Sequence, residues 1–112
     1  MNRNKLIELF ISNLATAIVH QILELAIADR QEISEKYNKE VKNSWEIAKS
    51  YREKINPLNK SLPGKDTEDI RMKVINRVKA ELKLRIEKGY EDINISLVEE
   101  FVDRALKELS VI

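Results

Sequence analysis

Ser12, Thr16, His20 and Glu24 recur at every fourth position, with Glu8 opening the row. These are the residues whose types invite chemistry. A helix turns about 100° per residue, so a period of four keeps such a row near one face. His20 is the sole histidine. With Glu24 one turn on, it forms a weak candidate metal pair. Helical bundles do bind metals this way, but their sites draw further ligands from other helices. The chain has no cysteine and no second histidine, so any further ligand would be a carboxylate such as Glu8. A polar stripe without a metal is the favoured reading, and no cofactor is expected.

A nucleophile relay through Ser12 or Thr16 to His20 is the other chemistry this row could support. Helical Ser and Thr hydroxyls normally bond backward to a carbonyl. The two glycines, Gly64 and Gly89, stand alone, so neither a phosphate loop nor a glycine-rich oxyanion turn exists. The acid pairs Glu91/Asp92 and Glu99/Glu100 sit near a helix start, where the macrodipole accounts for them. Nothing here points to an enzyme.

The elements that must carry these residues read as all-α. Of 112 residues, 43% are hydrophobic and 35% charged, with two glycines and two prolines. That is enough apolar surface for one folded domain, and too few turn residues for a β protein. Leu6 to Ile27 is apolar nearly all round. It contains Glu8, Asn13, His20, Gln21 and Glu24, which lipid would not accept cheaply, so a core helix is expected and not a membrane span. From Gln31 the apolar stripe narrows to Ile33, Tyr37, Val41, Trp45, Ala48, Tyr51 and Ile55, spaced as one helix face requires.

The polar row continues in phase through Glu35, Lys39 and Lys42. That predicts one long helix over about 3–55. A break near 29–33, with Asp29 and Glu32 as a capping arrangement, is the alternative. A loop follows over 57–66, started by Pro57. Asp66 or Thr67 is expected to cap a helix over about 67–88, which Lys88-Gly89 stops. A last helix over about 96–109 opens on a Ser96/Glu99 capping box. The two shorter helices would lie antiparallel along the long one, residues 67–88 beside 33–55 and 96–109 beside 10–27.

That arrangement leaves one apolar side of residues 6–27 uncovered. An uncovered apolar face of that size marks an interaction surface, and two-fold self-association is the simplest cover. Phe10, Leu14, Ile18, Ile22 and Leu25 are the expected dimer interface. The leading reading is a homodimeric protein-interaction or scaffold module, with the helical bundle completed by the second copy.

Charge distribution supports a different runner-up. Residues 57–89 hold nine Lys/Arg against five Asp/Glu, and residues 90–112 hold two against six. The simplest reading is mutual neutralisation in the fold or across a dimer. The alternative function is a nucleic-acid-associated protein using the basic 71–88 helix, with Lys73, Arg77 and Lys88 as contacts. Tyr37, Trp45 and Tyr51 interleave with basic residues between Lys36 and Lys54, as stacking platforms would, but they fall on the inward stripe. Arg71 and Arg85 are expected to lay their stems over the core edge; pairing with Glu99, Glu100 or Asp103 is the other option. The absence of cysteine suits a cytoplasmic protein, and the Lys, Glu and Ile content suits a heat-adapted source.

Overall fold

The computed structural model describes residues 2–27, 30–56 and 61–112. It is built from four α-helices: α1 Arg3–Ala26, α2 Gln31–Ile55, α3 Gly64–Glu87 and α4 Val98–Glu108. A 3-10 turn, Ile95–Leu97, leads into α4. No strand occurs among the described residues.

The expected long helix is two helices. α1 ends at Ala26, and α2 returns alongside it. His20 meets Glu40, and Asn38 Nδ2 donates to Glu24 Oε1 at 3.3 Å. Partners that fall on one side as they rise on the other define an antiparallel pair. The physical reason lies in the width of the apolar face of α1. An uninterrupted helix would leave that face in water, whereas the hairpin covers it with Tyr37, Trp45, Ala48, Tyr51 and Ile55. Phase continuity of the polar row misled because both helices can keep the same phase across a short turn. Asp29 lies outside the described residues, and Arg30 occupies the N-cap of α2 with no side-chain bond.

The third helix also sits differently from expectation. It packs on α1 and not on 33–55, and it runs parallel to α1: Arg3 pairs with Asp66 at 2.5 Å, and His20 lies by Arg85 further along. α4 runs antiparallel to α3, with Arg71 on Asp103 and Lys79 on Glu99. The helices therefore alternate in direction, with α1 in the middle, touching all three others. Phe10, Leu14, Ile18, Ile22 and Leu23 of α1 are sealed against Ile70, Val74, Val78 and Leu82 of α3 and Val98, Val102 and Leu106 of α4. By length and composition α1 could cross a membrane; here its apolar side chains make the core.

Local rules account for most helix ends. Asn2 caps α1, its side chain accepting from the backbone N–H of Lys5 at 2.8 Å. Gly89 takes φ +97° after α3, and the N–H of Tyr90 donates to Arg85 O at 3.0 Å. This is the left-handed stop expected of Lys88-Gly89. Ser110 does the same for α4 at φ +57°, with Val111 N–H donating to Leu106 O at 2.8 Å.

Two caps differ from expectation. α3 starts at Gly64, earlier than the cap expected at Asp66 or Thr67. Thr67 Oγ1 instead lies 3.2 Å from each of the carbonyls of Leu62, Pro63 and Val111, any one of which can accept its single proton, and Asp66 holds Arg3. Asn94, not Ser96, caps the last helical segment, its Oδ1 accepting from Ser96 N–H at 3.1 Å.

The C-terminal end is pinned by a residue the charge pattern hid. Arg52 on α2 is fully buried. Its guanidinium donates to Leu109 O at 2.9 Å, Ser110 O at 2.7 Å and Asn56 O at 3.2 Å, and to Asn56 Oδ1. The carbonyl end of α4 carries partial negative charge, so the cation joins two helix ends that share no sequence neighbourhood.

Candidate functional site

His20 projects from α1 into the space between α2 and α3. Its Nε2 lies 3.2 Å from Glu40 Oε2, and its ring stacks on Tyr37 with centroids 5.6 Å apart and planes 19° off parallel. The side chain is only 15% exposed. Burial pushes the imidazole below its ordinary pKa of 6.5; Glu40 opposes that shift, Arg85 adds to it and Glu81 opposes it. Burial also raises the Tyr37 hydroxyl, helped by the neighbouring Tyr90 side chain. Arg85 lies over the Tyr90 ring at 5.9 Å.

The row read from the sequence is therefore partly gathered. Ser12, Thr16 and His20 line one pocket of about 120 Å³ against Arg77, Glu81 and Arg85 of α3. Glu24 is not among them. It turns to Asn38, so the His20/Glu24 metal pair is taken apart by the hairpin. No group of three or more potential ligands gathers among the described residues. Thr16 Oγ1 donates backward to Ser12 O at 3.0 Å, so its proton does not point to His20. As a chemical arrangement the pocket is equipped to bind, with two guanidinium groups, an imidazole, two hydroxyls and one carboxylate.

Of the expected interface residues, Phe10, Leu14, Ile18 and Ile22 are at most 1% exposed. The chain's own helices cover the side of α1 that was to need a second copy, so these four cannot face one in this fold. Leu25 differs, being 55% exposed at the end of α1. It borders a groove with Trp45 and Phe101.

Among the proposed nucleic-acid contacts, Lys73 Nζ pairs with Asp69 at 2.9 Å. Arg77 faces the His20 pocket beside Glu81, and Lys88 lines a separate cleft. Tyr37, Trp45 and Tyr51 pack against the core. Arg71 does not simply snorkel: its Nε and Nη2 bind Asp103 at 2.7 and 3.3 Å, which raises its pKa further. The basic and acidic segments thus neutralise each other within the chain, at Arg71–Asp103 and Lys79–Glu99.

That separate cleft, about 750 Å³, lies at the end of the bundle where α1 turns into α2 and α3 gives way to α4. Ile27, Ile33, Tyr37, Tyr90 and Ile93 supply its apolar lining, and Arg30, Lys36, Lys88, Glu91 and Asp92 its charges. Ile33 and Tyr90 are 40% and 44% exposed. Asp92 stands at φ +64°, a left-handed conformation that aspartate enters more readily than most non-glycine residues.

Glu40, Glu81 and Tyr90 were missed as site residues. Glu81 had a signal, since Arg77, Glu81 and Arg85 follow at helical spacing. Glu40 had none, because only the hairpin brings it to His20. No protein family, curated protein or solved structure matches this chain.

Proposed function

We propose that this chain is a helical protein-interaction module that self-associates through the cleft at the end of the bundle. The observation that carries the reading is the clustering of exposed Ile33 and Tyr90 with Ile27 and Ile93 in one open cleft. A two-fold interface presents the same patch twice, so it must complement itself. Three cations (Arg30, Lys36, Lys88) and two anions (Glu91, Asp92) around one apolar floor meet that requirement. The reading keeps the homodimer expected from the sequence and moves its surface away from the buried face of α1. A cytoplasmic location goes with it, on the ground that the chain has no cysteine.

Sedimentation velocity across the micromolar range tests it. Native protein is expected to dimerise at tens of micromolar. Ile33→Asp together with Tyr90→Asp should give a folded monomer with unchanged helical circular dichroism. Leu14→Asp should unfold the chain instead, because Leu14 is fully buried. Native protein that stays monomeric at the highest concentration defeats the proposal, as does a dimer indifferent to the Ile33/Tyr90 pair.

A further inference from the structure

We propose that the pocket between α1 and α3 is a binding site for a hydrogenphosphate group, held by Arg77, Arg85 and His20. Two polar atoms carry the argument. Arg85 Nε and His20 Nδ1 are both buried with no hydrogen-bond partner among the described residues, and both belong to side chains lining the same pocket of about 120 Å³. A buried polar atom left without a partner is costly, and in native folds an ordered water or a bound ion commonly completes it.

The two atoms ask for different things. The guanidinium Nε–H can only donate, so the guest must present an acceptor. At His20, Nε2 faces the Glu40 carboxylate at 3.2 Å. An ionised carboxylate only accepts, so the ring proton sits on Nε2, and Nδ1 of the neutral ring is an acceptor. The guest must therefore also donate. A carboxylate, chloride or sulfate offers no donor at neutral pH. Hydrogenphosphate offers acceptor oxygens and one P–O–H, matching both needs at once. Ser12 and Thr16 add hydroxyls to the lining, and two guanidinium groups against the single carboxylate of Glu81 leave the pocket net positive.

The groups facing His20 decide the pH behaviour. Glu40 and Tyr37 come from α2, and Glu81 and Arg85 from α3. In acid the ring gains a proton and Nδ1 becomes a donor. Sulfate can then be accepted as well, and discrimination between the two anions should narrow.

The sole histidine gives an unambiguous readout. We expect the His20 imidazole ¹H–¹³C signals to shift saturably as inorganic phosphate is added above neutral pH at constant ionic strength. Sulfate and acetate should bind at least about five-fold more weakly, the difference of one hydrogen bond. Arg85→Gln should weaken phosphate by about ten-fold or more, through loss of a charge-assisted bond. Glu81→Gln, which removes the opposing carboxylate, should tighten it about five-fold.

The last variant strengthens where the other weakens, so a folding defect cannot imitate the pattern. O-phosphoserine, whose phosphate group is a dianion without P–O–H above neutral pH, should bind as weakly as sulfate, which assigns the site to the free ion. The proposal is overturned by an absence of saturation with inorganic phosphate, by equal response to phosphate, O-phosphoserine, sulfate and acetate, or by Glu81→Gln failing to tighten.

Discussion

Replacing Arg52 with methionine should destabilise the protein by about 3 kcal/mol. Methionine keeps most of the apolar stem and removes the guanidinium. The carbonyls of Leu109 and Ser110 then lose donors at 2.9 and 2.7 Å. Each buried acceptor left without a donor costs about 1–3 kcal/mol, so the two together suggest roughly 2–6 kcal/mol. Opposing that loss, methionine relieves the desolvation of a fully buried cation, whose pKa burial already pushes down. The lower half of the range is therefore expected. Urea unfolding followed by helical circular dichroism measures it as a lower midpoint at unchanged slope, and Tm should fall by roughly 10 °C. Arg52→Lys should lose about half as much, because one ammonium reaches fewer of the carbonyls. A methionine variant within about 0.5 kcal/mol of the native protein, the usual range of surface substitutions, would refute the idea that Arg52 ties α2 to the end of α4.

The left-handed stops predict opposite effects. Ser110→Gly should stabilise by about 0.5 kcal/mol, the relief of a strained φ less the extra chain entropy of glycine, whereas Gly89→Ala should cost about 1 kcal/mol; thermal unfolding of the pair checks both signs. His20 sets a pH dependence. Its folded pKa lies below the unfolded value of 6.5, so the unfolded chain takes up the proton first. The neutral ring's contribution is intact above pH 6.5 and is lost progressively as pH falls below it. Urea midpoints of the native protein and His20→Gln should therefore converge on acidification through this window, and a constant difference would contradict the assigned burial.

Local chemistry was legible where it was self-contained. The stop at Lys88-Gly89 and the helical character of α3 and α4 follow from turn residues and composition within one segment, while the start of the expected loop, 57–60, lies outside the described residues. Arg71 and Asp103 were named as possible partners because opposite charges lay on neighbouring segments. The polar row was legible as a row, and its split was not. Ser12, Thr16 and His20 meet α3, while Glu24 turns to Asn38 on α2. Arg52 read as one more surface cation among the lysines of α2, since nothing local distinguishes a cation that faces water from one that reaches a helix end 57 residues away.

The amino-acid order alone determined that this chain is helical and that residues 6–27 need cover on more than one side. Those properties are sums of short-range preferences, set by neighbours three and four positions apart. Which surface provides the cover was decided only in three dimensions. Apolar faces are alike in their attraction, and the choice between a second copy and the chain's own α2 rests on whether α2 runs back along α1. That reversal moves Phe10, Leu14, Ile18 and Ile22 from a presumed interface into the core, and it brings Glu40 to His20.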